Sequence, residues 1–407
     1  MRSHLILLFS TMLCIISMFP SLASAKEIVV WHSYRSLEKE AFDSLVAKYN
    51  EANKKNGIRV KSLAVPYDAY PDKITAAIPR GKGPDVFIFA QDRLGGWVES
   101  GNTIESIDFY LEDDLRAKFL PGLLDAMTYN ETVYGLPFNF KSIVLIYNKD
   151  KIKTPPTTEK ELLMLAKQHT DSKSGRYGMA YTYNDFFFHA MLMNAYGGQV
   201  FDKRSTPVIN SKENLVSLEH LQKWLDVEKV LPSEPSSALI TSMFNEGKTS
   251  MIFSGPWTLA ELDTTKVNYD IAVLPTLNNG QPLKPWLTIE GVYISAGSQE
   301  KEKAFDFAQF LVTEESAMVM AQKGKQLPSI KSVYESGDFA QKSSTKIFRK
   351  QFENAIAMPN YPEMTLMWSP MTTAMNKVVK KSASPKDALN EAQNKLQENV
   401  KKLHKGK

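Results

Sequence analysis

The sequence predicts an α/β protein built on doubly wound sheets, and three observations predict it. Short β-branched or aromatic runs alternate with segments of helical period between Glu27 and Ala90. The same alternation returns between Ile143 and Pro275, and 407 residues are enough for two or three domains. Composition agrees. A chain that is 43% hydrophobic and 23% charged is not disordered, and a single cysteine, Cys14, excludes a disulfide scaffold. The 49 basic and 45 acidic residues leave a net charge of +4, spread evenly. Nucleic acid is therefore not an expected partner, since it selects a concentrated basic face.

The first 25 residues read as an export signal. Arg2 and His4 precede an apolar run from Leu5 to Pro20, and Ala23-Ser24-Ala25 offers the small-x-small pattern cut after Ala25. The run is on the short side for a membrane span. Bulky Met12 and Leu13 before Cys14 argue against lipid attachment, so a free periplasmic protein is expected.

Glu27 to Trp31 reads as a buried strand. Ser36 caps a helix whose apolar face is Leu37, Ala41, Leu45, Val46 and Tyr49, and Asn56-Gly57 ends it. Ile58 to Val65 is the second strand, a helix with Tyr70, Ile74, Ala77 and Ile78 on one side follows, and Asp85 to Ala90 is the third. This β-α-β-α-β order is that of a parallel sheet, whose ligands bind beyond the carboxyl ends of the strands. Further strands are expected near 143–147, 177–181, 249–253 and 269–274. The segment Asn245 to Ile252 resembles half a phosphate loop, but Ser242 stands where glycine is needed, so Gly247 reads as the end of a helix before a strand. After Pro385, Leu389, Ala392, Leu396, Val400 and Leu403 recur at three- and four-residue steps, the pattern of an amphipathic helix.

The motifs of common chemistries are missing. The six histidines form no H-E-x-x-H pair, and the chain has no G-x-S-x-G elbow and no G-x-G-x-x-G after a strand. No metal, cofactor or catalytic residue is expected. Paired carboxylates act across space rather than along the sequence, so a secreted carbohydrate hydrolase using Asp92, Asp185 or Glu290 stays open as a competing reading.

An ordered set of short motifs carries a resemblance over nearly the whole chain after the signal. It comprises Gly83-Pro84-Asp85 running into Gln91-Asp92-Arg93-Leu94-Gly95-Gly96, Leu145 to Asp150 with Pro155-Pro156, and Ala195-Tyr196-Gly197-Gly198. Ser254-Gly255-Pro256-Trp257, Lys266 to Tyr269 with Val273 to Thr276, and Met358-Pro359-Asn360 with Trp368 complete it. The chain resembles the extracellular solute-binding proteins that serve ATP-driven importers, the maltose/maltodextrin binders in particular. The resemblance implies a periplasmic-binding-protein-like fold of two α/β lobes, 26–139 with 290–338 and 140–289 with 339–407, joined by hinge strands. It also implies a monomer that closes on an oligosaccharide and delivers it to an inner-membrane ABC permease.

Carried over residue by residue, the resemblance puts substrate-binding roles on Asp92 and Arg93, on Phe89 where the family has tryptophan, on Asp185 at a family glutamate and on Phe187 at a family tyrosine. Trp257 and Trp368 match the family's aromatic platforms, and first-loop contacts fall around Tyr34 and Arg35. Such residue types suit a sugar: rings cover the C–H face of a pyranose, and charged groups pair with its hydroxyls. Because Phe186, Phe187 and Phe188 are consecutive, the three rings cannot all face one way. Lys141 and Thr372 stand where maltodextrin binders have glutamate and arginine. These departures question maltose itself, and with Arg35 they leave open an anionic solute such as a glycerol phosphate. Glu290, in the apolar stretch Ile289–Ile294, is a candidate replacement acceptor.

Overall fold

The computed structural model describes residues 26–405 apart from positions 203 and 336, so the expected export signal lies outside the described residues. Thirteen strands are described: β1 (Lys26–His32), β2 (Ile58–Ala64), β3 (Val86–Ala90), a short hairpin of β4 (Thr128–Tyr129) and β5 (Thr132–Val133), β6 (Gly135–Lys141), β7 (Val144–Asn148), β8 (Tyr177–Ala180), β9 (Thr249–Ser254), β10 (Tyr269–Ala272), β11 (Trp286–Ile294), β12 (Leu327–Pro328) and β13 (Ile356–Ala357).

They form two principal sheets. The first runs β12-β6-β11-β3-β1-β2, with β13 alongside the start of β11, and the second runs β10-β7-β9-β8. β1 pairs in parallel with β2 and β3, as the β-α-β-α-β pattern predicts. Every residue of β3 and of β11 is buried, which is why β3 reads as an unbroken apolar run; β11 interrupts its apolar residues with Thr288 and Glu290. Both sheets are mixed. β11 runs antiparallel to β3 and β6, and β7 runs antiparallel to β9 and β10. Hydrophobic period distinguishes strand from helix but carries no sign of direction, so the sequence alone predicts strands such as β3, β7, β9 and β10 and not this reversal, and β6 and β11 are not among its expected strands.

The connections from β6 to β7 and from β10 to β11 carry the chain between the sheets. β13 lays a further passage against β11, pairing Ile356 with Trp286 and Ala357 with Leu287. Residues of the second sheet alternate between two hydrophobic cores. Val144, Ile146, Ala180, Ile252 and Ile271 join the core of the first sheet, while Leu145, Tyr147, Met179, Met251 and Phe253 join a second core. That is the two-residue period of a strand buried on both faces. The second core is closed by the helices Trp368–Val379 and Pro385–Lys405, the latter burying Leu389, Ala392, Leu396 and Val400 as its spacing predicts. Gly247, at φ +67°, ends the helix Ser237–Asn245 ahead of β9, which leaves no phosphate loop there.

The second core also contains a buried histidine with a defined proton. Ser217 Oγ donates to the Asn214 carbonyl at 2.7 Å, so it accepts from His189 Nε2 at 3.0 Å. Nδ1 of His189 is buried without a partner. A second proton has nowhere to go. Burial first, and the neighbouring His220 second, lower its pKa from 6.5 to about 3. The unfolded chain takes that proton first as pH falls, so stability is lost progressively from about pH 6.5 down to about pH 3 and is unaffected above. In His189→Gln, which keeps a donor toward Ser217 but does not titrate, the fall in Tm between pH 7 and pH 4 is smaller than in the wild type, by about 3 °C. Calorimetry over that range measures it, and equal slopes in the two proteins would remove His189 as a cause.

Candidate functional site

The ends of the parallel strands bring the candidate residues together. Tyr34 and Arg35 follow β1, Tyr67 follows β2, and the single turn Gln91–Arg93 follows β3. From the second sheet, Asp185 follows β8, and Gly255 and Trp257 follow β9. All stand at carboxyl ends, where the crossover connections leave room for a ligand.

Asp92 is 3% exposed. It forms an ion pair with Arg93 at 3.4 Å and accepts a hydrogen bond at 3.1 Å from Nε1 of Trp368, which belongs to the second core. A carboxylate of one half and an indole of the other thus meet directly. Burial raises the Asp92 pKa, while Arg93 and Trp368 oppose that shift. Arg35 makes a second link between the halves through its 2.7 Å ion pair with Glu261.

The aromatic residues of the second half are in contact with one another. Phe186 and Phe188 are buried, and Phe187 is the half-buried ring of the three. Its centroid lies 6.1 Å from Trp257 and 6.4 Å from Trp286. Trp286 in turn meets Trp368 edge-on at 5.9 Å. Gly255 is required here, because a Cβ at that position would overlap the Trp257 ring. Asp185 caps the helix Phe186–Ala195, accepting from the Phe187 N–H at 2.9 Å.

Phe89 lies apart from these rings. It is 3% exposed within the first core, under Tyr67. Lys141 is not a solvated surface cation. Its ammonium lies 2.8 Å from Glu290 and 4.0 Å from Glu38, above the ring of Tyr34. Burial works against that charge, but the two carboxylates outweigh it and raise the Lys141 pKa. Glu290 also accepts from the Tyr34 hydroxyl at 3.0 Å, and Asn139 donates to that hydroxyl at 3.3 Å. Glu290 lies where the register of β11 against β6 shifts, Phe138 being the extra residue. Such a bulge re-aims a side chain at a sheet's working edge. Thr372 is exposed on its helix. Tyr67, Glu38 and Asn139 are the participants that sequence reasoning missed. The available signal was their position, two of them just beyond a strand end or on a strand facing it.

Two recurring motifs meet beside this site. The Gly95 N–H donates to the Asn360 carbonyl at 3.0 Å, and a Cβ on Gly95 would collide with that oxygen. Gln91, fully buried, donates to the Met358 carbonyl at 3.3 Å and accepts from the Ile289 N–H at 2.8 Å. One side chain therefore ties the end of β3 to two of the passages between the sheets.

Two α/β halves that present rings and carboxylates to each other from their strand ends define a two-lobed binder of small solutes. Residues 44–347 match the bacterial extracellular solute-binding protein family, and the chain belongs to that family. It is a solute-binding protein rather than an enzyme, and it is exported. Among the described residues no helix is long and apolar enough to cross a membrane. The chain is 26% identical over 400 residues to a galactooligosaccharide-binding protein of Bacillus subtilis, covering 95% of this chain and 92% of the relative. It is 28% identical over 392 residues to a maltotriose-binding protein of Pyrococcus abyssi, covering 93% and 83%. The solved structure of the Thermus thermophilus maltotriose-binding protein with maltotriose superimposes with a TM-score of 0.84 at 26% identity, over 92% of this chain and 100% of that one.

Proposed function

We propose that this protein is the periplasmic substrate-binding subunit of an ATP-driven carbohydrate importer, taking an oligosaccharide of the maltodextrin or galactooligosaccharide kind between its lobes. The observation that carries this reading is the meeting of Trp368 with Asp92, which sets a ring and an acceptor from opposite halves side by side. A pyranose needs both, one for its C–H face and one for its hydroxyls. In this reading Asp92 and Asp185 accept from sugar hydroxyls, Arg93 donates or holds Asp92, and Trp257, Phe187 and Trp368 form the stacking surface. The lobes are 26–139 with 290–338 and 140–289 with 339–407. The signal is removed after Ala25, and the protein works as a monomer that presents its closed form to an inner-membrane ABC permease.

The charge pattern favours a neutral solute over a phosphate ester. Lys141 is matched by Glu290 and Glu38, Arg93 by Asp92, and Arg35 by Glu261. A further anion would enter among carboxylates that already answer each cation, which costs like-charge repulsion without a free partner.

Thermal unfolding with maltotriose, longer α-glucans, galactooligosaccharides and glycerol phosphates tests the reading. A bound sugar at one hundred times its Kd stabilises the protein by about 2.7 kcal/mol, a Tm rise of several degrees. A shift with glycerol phosphate alone would move the site to anions, and no shift with any sugar would end the carbohydrate reading.

A further inference from the structure

We propose that Tyr67 is the ring that meets the solute on the first lobe, with Phe89 as the fixed backing beneath it. The inference rests on the carbohydrate reading and assigns a sugar-contacting residue that the motifs do not supply.

Phe89 has no open face. Tyr70 meets it edge-on at 5.3 Å, Trp97 lies at 6.0 Å, and Tyr67 stacks on it at 5.4 Å with 22° between the ring planes. At 3% exposure it cannot cover the C–H face of a pyranose, which needs an accessible ring. Tyr67 has that surface. It is 59% exposed although one of its faces rests on Phe89.

Its surroundings identify the space it faces. Tyr67 follows the carboxyl end of β2 in the same parallel sheet whose β1 and β3 lead to Tyr34 and Asp92, and its ring rests on Phe89, three residues before Asp92. An open ring among those strand ends lines the space between the halves. Its hydroxyl is a donor, so Tyr67 offers a flat apolar face and a hydrogen bond from one side chain.

The backing explains why Phe89 is aromatic although it is sealed. Tyr67 sits in the single turn Tyr67–Ala69 after Pro66. A near-parallel ring beneath it fixes its plane before the solute arrives, which reduces the entropy lost on binding.

Calorimetric titration of maltotriose into wild type, Tyr67→Ala, Tyr67→Phe and Phe89→Leu tests this, with the Tm of each unliganded protein as the control for folding. Tyr67→Ala binds about tenfold more weakly, a loss of about 1.4 kcal/mol. Tyr67→Phe, which keeps the ring and loses the donor, binds about threefold more weakly. Phe89→Leu falls between them, with its loss in the entropy of binding. In Tyr67→Trp the change in emission on adding maltotriose differs from that of the wild type, whose own tryptophans supply the reference; a purely structural residue would leave the wild-type response unchanged. Wild-type affinity in Tyr67→Ala, with the wild type binding normally, overturns this inference and leaves the carbohydrate reading standing. If maltotriose, longer glucans and galactooligosaccharides all fail to bind the wild type, the reading itself falls and this inference falls with it.

Discussion

Glu290→Ala destabilises the protein by about 3–5 kcal/mol, the cost of leaving a buried ammonium without its principal counter-charge. Glu290 is 6% exposed and holds both Lys141, at 2.8 Å, and the Tyr34 hydroxyl, at 3.0 Å. Once it is removed, Lys141 is left with Glu38 at 4.0 Å. Glu38 is itself buried and committed to Gln326, whose Nε2 donates to it at 2.6 Å. Burial raises the Glu38 pKa, so it is a reluctant anion and a poor substitute. The double variant Glu290→Ala/Lys141→Met removes the orphaned charge as well as its partner and recovers more than half of the loss. The pair is thus strongly non-additive, as contacting charges are. Urea unfolding of the two single variants and the double measures the coupling. A Glu290→Ala loss below about 1 kcal/mol, the range of an exposed pair, would mean that solvent and not Glu290 supports Lys141.

This pair shows why part of the site was hidden in the sequence. Lys141, read along the chain, is a carboxylate lost and a cation gained. In the structure the neighbouring strand supplies the missing carboxylate, since Thr288 of β11 pairs with Lys141 and Glu290 follows two residues on, on the same face. Positions 141 and 290 are adjacent only through strand pairing, which no local pattern announces. The bulge that aims Glu290 has the same character. β6 contains Pro137, a residue that argues against a strand, and the sheet admits it where the register shifts.

The elements that were legible are those whose burial is complete and local. β3 reads as a strand because every side chain in it is covered, and the final helix because its buried residues recur at helical spacing. Asp92, Trp257 and Trp368 stand out through motif resemblance rather than through any period. Phe187 could be placed only by packing, where Phe186 and Phe188 took the core and left it outward. Tyr67 escaped because a turn has no periodicity, and a residue three positions past a strand is prominent only when the strand's parallel neighbours are known.

Asp92→Ala weakens oligosaccharide binding about a hundredfold, close to 2.7 kcal/mol, while leaving the unliganded protein as stable as the wild type or more so. The two halves of this expectation have one cause. Asp92 is almost fully buried, and burial raises its pKa, so its charge is held against solvation cost in the empty protein. That cost is offset in part by Arg93 and Trp368 and, in the proposed carbohydrate reading, is recovered when sugar hydroxyls donate to it. Alanine removes the cost and the recovery together. Trp368→Phe keeps a ring but loses the indole donor, so binding falls about tenfold, by a smaller step than at Asp92. A carboxylate that served only to pin the two halves would behave in the opposite way, with a lower Tm and little change in affinity. Calorimetric binding of maltotriose and thermal unfolding of the same preparations distinguish the two. A fall in Tm of the unliganded Asp92→Ala protein with affinity intact would make Asp92 a structural clasp and move the acceptor role to Asp185.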